Sequence, residues 1–505
     1  MGRTVTLPTT ALVALVALVC QAHATVIHVP SDQPTIAAGI AAASPGDTVE
    51  VACDTYHESG LVIEKAITLQ SETGLWDCVT IDGDAAGSVL HIRHADGAVV
   101  SGIRFIDGAA LVGAGVRVDT SDVSFHRCRF EDNHATLEGG GLRYLDGTPQ
   151  LSYCEFVDNT AVLSGGGMML GETAGLLTHC DYTGNVARWG GGAAIYDQAT
   201  TALSQCTFTD NHAVGDSYGG GLYCWNSSSP TLEWCNFYDN TSDDCGGGAA
   251  VDEDCSPTFF VCLFYGNEAE WGGGCYVWAA GGGQFTSSTF YDNTAVSGGG
   301  LAMEGVDAMY VGTCWFKENT ATVAGGGMLM DDCAVAVYTS VFVENVAEYG
   351  GGLAIGESTT SMVAAECTFC RNRVTGARGL GAGLGVHGSS ATSIVNSVIA
   401  FSTAGEAAAT EESGPLTAIA CVVYGNAGGD WVGCLAGQDA QNDNAHVDPL
   451  FCDMYDNDLG VCANSYCVET NNPPEVQIGA FGEDCDACDS AVEPCSWGGI
   501  KALYR

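Results

Sequence analysis

Cations are scarce in this chain. Its 505 residues carry 15 Lys+Arg against 61 Asp+Glu, a formal net charge of −46, and the lysines are Lys65, Lys317 and Lys501 alone. A surface of that sign repels phosphate backbones and anionic head groups, which excludes nucleic acid and acidic membranes as partners. Proline is also sparse, at 12 residues, and the 69 glycines follow no every-third register, so collagen is excluded. Charged residues make up only 15% and apolar ones 46%, too hydrophobic a mixture for intrinsic disorder. The sequence lacks a Gly-x-Ser-x-Gly elbow, a phosphate-binding loop and a Cys–His pair at diagnostic spacing.

The N-terminus supplies the compartment. Arg3 precedes the apolar run Ala11–Val19, followed by Ala22-His23-Ala24, a small-x-small cleavage pattern. That run is too short to cross a ~30 Å hydrocarbon core, and no later run is long enough. Residues 1–24 are expected to be a signal peptide, and the protein to be secreted or displayed on the cell surface.

Self-comparison then dominates everything else. The unit is an apolar residue, x, x, Cys, x, Phe, x, x, Asn, a spacer, three glycines and an apolar strand. The asparagines are Asn133, Asn159, Asn185, Asn211, Asn240, Asn267, Asn293, Asn319, Asn345 and Asn372, at spacings of 26 to 29 residues. Three positions before them stand aromatic residues, Phe130 to Phe369, with Tyr182 as the one tyrosine. A glycine triplet per unit is incompatible with helical repeats. Alternation after each triplet, as in Leu142/Tyr144 and Leu301/Met303, fits strands. Coils of ~26 residues stacked at ~4.8 Å give a solenoid of parallel sheets, in which every repeated position becomes a row. The Asn row is expected to be a buried amide ladder and the Phe row a stacked core.

Cys128, Cys154, Cys180, Cys206, Cys235, Cys262, Cys314 and Cys367 form a third row, with Ser288 and Ser340 substituting in it. In-register neighbours point the same way, poor geometry for a bridge, so reduced buried thiols are expected there. Disulfides are expected off the row: Cys53–Cys78, Cys245–Cys255 and among the C-terminal six. Cys485-Asp-Ala-Cys488 lacks the further ligands zinc needs and suits a structural disulfide.

At these residues the sequence resembles the right-handed parallel β-helix proteins of the pectin-lyase-like group. The pairing of Phe-x-x-Asn with Gly-Gly-apolar is similar to the repeats of chlamydial polymorphic outer-membrane proteins. Asp32-Gln33-Pro34-Thr35-Ile36 resembles the family's amphipathic capping helix, with Ser31 or Asp32 as its cap. Asp448-Pro449-Leu450-Phe451 and Ile478-Gly479-Ala480-Phe481 resemble its closing segments. The resemblance implies an all-β, right-handed parallel β-helix with a short N-terminal capping helix. It divides the chain into a signal peptide (1–24), cap and first strands (25–60), β-helix (61–440), a Cys-rich closing segment (441–490) and a short tail (491–505). No membrane barrel of the autotransporter type finds room here, and a monomer is expected. The family's functions run from polysaccharide lyases to adhesins, so fold does not fix function.

Candidate chemistry has bland alternatives. No Gly-His-Gly or Arg-Ile-Lys string accompanies Asp243-Asp244 or Asp331-Asp332, and an anionic polysaccharide would meet a surface of its own sign unless Ca²⁺ bridged them. The residue before each Asn forms an acidic row in which Asp239, Asp292 and Glu318 are Ca²⁺ candidates; the alternative is a solvated turn face. Outward positions after the triplets place Tyr196, Tyr223, Trp225, Tyr276 and Trp278 on one sheet as a candidate glycan face, or else as aromatics covered by turns. On that face Asp252, Glu304 and Asp331 are the catalytic candidates. Glu304 and Asp331 fall one coil apart (~4.8 Å), near the retaining separation, and Asp252 and Glu304 two coils apart (~9.6 Å), at the inverting limit. Trp278 would keep the Glu304 carboxyl protonated. The expectation is non-catalytic binding of glycans or surfaces; the alternative is a glycoside hydrolase or, less readily, a Ca²⁺-dependent polyuronate lyase.

Overall fold

The computed structural model describes residues 24–488, apart from 307, 357, 358, 360, 377–379, 389, 390, 412 and 413. Nearly all of the expected signal peptide and the whole tail 491–505 lie outside the described residues.

Among the described residues, four long parallel sheets of 16, 15, 14 and 11 strands run the length of a right-handed β-solenoid, and each coil visits them in a fixed order. One coil places Val123–His126 in the 16-stranded sheet, Arg129–Glu131 in the 15-stranded, His134–Glu138 in the 11-stranded and Leu142–Gly147 in the 14-stranded, before Gln150–Ser152 begins the next. Coils stack in phase: Phe130 pairs with Phe156, and Phe156 with Tyr182.

The phase explains the composition. From Phe130 to Phe369 the ring centroids lie 4.6–4.9 Å apart, with planes within 8° of parallel. Strand spacing imposes this face-to-face geometry, and edge contacts from Phe125, Phe259 and Phe285 supply the better quadrupole arrangement. Beside it the buried asparagines form a continuous ladder. Asn133 Nδ2 donates to Asn159 Oδ1 at 3.0 Å, and the pattern repeats to Asn345 and Asn372. The residue before each Asn is left-handed, φ 53° at Asp132 and 67° at Gly184, which accounts for Asp and Gly at that turn. In each triplet the first glycine is also left-handed (Gly139, φ 64°), while a Cβ on Gly140 would sit 2.3 Å from Gly166 O. The triplets are turns where one coil's backbone presses on the next.

The cysteine row is buried and unbridged, as expected. Disulfides join Cys53–Cys78, Cys452–Cys485 and Cys462–Cys488. Cys245–Cys255 does not form, because Cys245 lies in an outer cluster with Tyr276 whereas Cys255 faces the interior column. The only α-helix among the described residues, Ile36–Ala42, buries Ile36, Gly39 and Ile40. Its cap is Thr35, not Ser31 or Asp32: Thr35 Oγ1 accepts from Ala38 N, and Glu58 accepts from Ile36 N and Ala37 N at 2.8 and 2.9 Å. Pro34 therefore precedes the cap, and Asp32 accepts from His28 N. At the other end Leu435, in the turn Gly433–Leu435, joins the interior column. Phe451, Ile478 and Ala480 instead pack on the outer face of the 15-stranded sheet, against Val341, Val343 and Val398. Arg371 fastens that segment, bonding Glu344 (2.7 Å), Asn457 (2.9 Å) and the Met454 carbonyl.

Candidate functional site: an aromatic and acidic groove

Strand alternation gives each coil of the 14-stranded sheet two outward positions. The inner position carries Tyr223, Ala250, Tyr276, Ala302, Leu329 and Ala354 in successive coils. Beside it stands the residue preceding each glycine triplet, linked coil to coil by bridges such as Tyr218–Cys245–Trp271 and Ala324–Tyr349. This edge of the 11-stranded sheet leans over the inner row, and the two pack as one outer apolar cluster. Tyr223 and Tyr276 are consequently only 7% exposed, which corrects their expected place among the open ring faces. Their hydroxyls serve carboxylates instead: Tyr223 donates to Asp252 at 3.1 Å and Tyr276 to Glu304 at 3.0 Å.

The outer position forms the floor of a groove, open at Trp225, Trp278 and Glu304. In order along the axis it carries Tyr196, Trp225, Asp252, Trp278, Glu304, Asp331, Gly356, His387 and Glu411. Trp225 and Trp278 are exposed at 37% and 39%, and Trp271, on the leaning edge, at 36%. Tyr196 is half-buried, meets Trp225 at 6.5 Å and donates to Glu138 at 3.3 Å. The Trp225 indole N–H is held by Glu253 at 2.7 Å.

Asp252 lies between the two tryptophan coils and is 6% exposed. Burial pushes its carboxyl up to about 6, against the opposing hydrogen bonds from the Tyr223 hydroxyl and the Glu253 amide. The carboxyl that burial lifts is thus Asp252, whereas Glu304, expected in that role, is exposed. Direct pairing of Trp278 with Glu304 and of Glu304 with Asp331 sets one coil (~4.8 Å) per step, so Asp252 and Glu304 are ~9.6 Å apart along the axis. Asp331 lines a cavity of about 600 Å³ further along.

The acidic turn row lies elsewhere on the coil. Burial raises the carboxyls of Asp239 and Asp292, helped by Asp210 and Asp292 at the first and by Glu318 at the second. Gly266 separates Asp239 from Asp292, and Glu318 bonds Lys317 at 3.1 Å. Among the described residues the closest metal-type groupings are Cys452/Cys462/Cys485, Cys53/Glu72/Cys78 and His57/Asp82/Asp84, none of which includes a member of the row. The Asn ladder is interior and takes no part in the groove. The sequence reading missed the leaning edge; its signal was the aromatic residue before several triplets, Trp189, Tyr218, Trp271 and Tyr349.

The family model described as "right handed beta helix region" matches residues 163–290 and 220–399. That match agrees with the parallel sheets in giving the chain a right-handed β-helix fold. Solved structures similar to it include a mannuronic acid specific polysaccharide family 6 lyase from human gut microbiota, at 13% identity and TM-score 0.39, covering 68% of this chain and 86% of that one. A pectate lyase gives 10% identity and TM-score 0.24, with 92% and 97% covered. A family 6 alginate lyase gives 12% and 0.25, with 80% and 72% covered. No curated protein matches the chain.

Proposed function

We propose that this is an exported β-helix protein that holds an extended glycan in the groove of the 14-stranded sheet, in an adhesin-like or structural role. One observation carries the reading: Trp225 and Trp278, both exposed, lie two coils apart on either side of the Asp252 carboxyl, in one outward row. Exposed indoles in a row lose free energy to water unless something flat covers them, and pyranose faces do so. A coil rise of ~4.8 Å is close to the repeat of an extended pyranose chain, so successive sugars meet successive coils. The similarity of the Phe-x-x-Asn and Gly-Gly-apolar repeats to chlamydial surface proteins supports display outside the cell. The groove's carboxylates disfavour polyuronates as ligands. A glycan array probed with the protein lacking residues 1–24 tests the reading, with Trp225→Ala/Trp278→Ala as control. Loss of every hit in a control that melts normally supports it; binding undiminished in that control refutes it.

The Asp252 carboxyl favours a second reading, hydrolysis. A carboxyl lifted to about 6 suits a general acid near neutrality, and Glu304 two coils away is placed for a general base in an inverting reaction. Reducing-sugar release on each array hit, abolished by Asp252→Asn with binding retained, would establish it.

A further inference from the structure

At its Trp225 end the groove meets an abrupt change of side-chain size. The inner row carries Met169, Ala194 and Tyr223 in successive coils, so a methyl stands between two long side chains. The outer row has no side chain at Gly171, and the Tyr196 ring lies over that space: a Cβ on Gly171 would fall 3.0 Å from Tyr196 Cε2. In the same coil the leaning edge is small too, with Ser164 between Glu138 and Trp189. These residues leave a nearly closed pocket of about 80 Å³ between the edge and the two rows. It exceeds the ~30 Å³ of a water and falls short of the ~150 Å³ cavity that takes benzene, which is room for about four heavy atoms. Trp189, Tyr223 and Trp225 give it an aromatic wall, joined by Leu163 and Ala194. Its polar members are few. Glu138 is already answered by the Tyr196 hydroxyl at 3.3 Å and by Arg143 at 3.4 Å. Ser164 is only 8% exposed, and its hydroxyl has no hydrogen-bond partner among the described residues, a cost that a polar occupant would relieve.

We propose that this pocket is a subsite for an acetamido group, and that the glycan in the groove carries 2-acetamido-2-deoxy sugars. The inference rests on the groove being a saccharide site, as argued above, and names the substituent that site selects. Trp225 lines both groove and pocket, so a sugar stacked on its indole has the pocket beside it. An acetamido group brings a methyl for the aromatic wall, with an N–H and a carbonyl for the Ser164 hydroxyl, which both accepts and donates. A plain sugar hydroxyl leaves the wall without apolar contact. A cation gains little there: Arg143 already meets the Glu138 charge, and the Arg188 guanidinium stands over the Trp189 ring, 5.1 Å from its centroid.

Calorimetric titration of the protein tests this with three probes: the tetramer of N-acetylglucosamine, its fully deacetylated form, and cellotetraose. Salt at about 0.5 M NaCl screens the general attraction of the cationic probe to so acidic a surface. The acetylated tetramer is expected to bind about tenfold tighter than the other two, the worth of one buried methyl and one neutral hydrogen bond. Ala194→Leu fills the pocket with a side chain no longer than those of Met169 and Tyr223 beside it, and should abolish the preference with cellotetraose affinity unchanged. Ser164→Ala removes one oxygen and should weaken the acetylated tetramer alone, about threefold. Equal binding of the three probes by the unaltered protein, or tighter binding of either unacetylated one, overturns the acetamido subsite while leaving the groove reading in place. A preference undiminished in both variants also overturns it. Absence of binding by all three probes overturns the subsite, and the array hits then decide the groove reading by themselves.

Discussion

Replacing Asn267 by Leu isolates what one rung of the amide ladder contributes. Asn267 is fully buried, and its Oδ1 accepts from both the backbone N–H and Nδ2 of Asn240, each at 3.0 Å. Its Nδ2 donates to Phe237 O at 3.0 Å and to Asn293 Oδ1 at 2.9 Å. Leucine removes all four bonds. Asn293 Oδ1 keeps the backbone N–H of residue 267, and Asn240 Nδ2 keeps Phe208 O, so those two groups are only partly deprived. The Asn240 backbone N–H is left without its carbonyl-type partner in a site closed to water. One stranded buried donor costs about 1–3 kcal/mol, and the shared losses bring the total to about 2–5 kcal/mol. Coils contact only their neighbours, so the loss is local and should open the stack around residues 240–267 before the rest. Native-state hydrogen exchange resolves this: protection at Asn240 and its flanking amides should fall roughly in proportion to that free energy, with distant coils unaffected. Unchanged protection there, together with an unchanged melting curve, would refute the ladder as a source of stability.

Asp252→Asn should stabilise the protein in alkaline solution and not in acid. The native carboxyl is raised to about 6 from its ordinary 3.8, so the folded state binds its proton more tightly and stability declines as pH climbs through that window. Above it the buried charge costs about 3 kcal/mol, which asparagine avoids; a melting-temperature gain near pH 4 as large as that near pH 8 would contradict the assignment. The row thiols from Cys128 to Cys367 should resist alkylation in the native protein and react once it is denatured, as mass spectrometry would read; rapid native labelling would mean they are not interior. Arg371→Ala should loosen residues 451–485 while sparing the coils, so exchange protection at Val461 should drop and that at Phe264 should hold.

The solenoid was legible because phase turns each repeated residue into a row whose chemistry is the same in every coil. Ten Asn, nine Phe with Tyr182, and eight Cys with Ser288 and Ser340 each report one orientation coil after coil, and Gly184 or Gly266 in place of Asp still obeys the left-handed turn. The groove was legible only by half. Alternation correctly set Trp225, Asp252 and Trp278 on one outward row, yet it could not show that the 11-stranded sheet leans over Tyr223 and Tyr276. That lean depends on how sharply the triplet turns, a backbone property set between coils. For the same reason the lifted carboxyl moved from Glu304 to Asp252: a neighbouring indole is visible in sequence, but burial by Tyr223 and the strand edge is not. Cys245 and Cys255 failed as a pair on similar grounds, since ten residues of chain separate them across a sheet rather than around a loop.

The central claim is that the groove floor holds glycan through its two open indoles. Its most direct test is titration of the best array ligand into the unaltered protein and into Trp225→Ala/Trp278→Ala, with both melting curves recorded alongside. Each indole that stacks on a sugar face should be worth about 1 kcal/mol or more, so the double variant should bind at least tenfold more weakly at an unchanged melting temperature. Affinity retained within twofold by that folded variant would contradict the account.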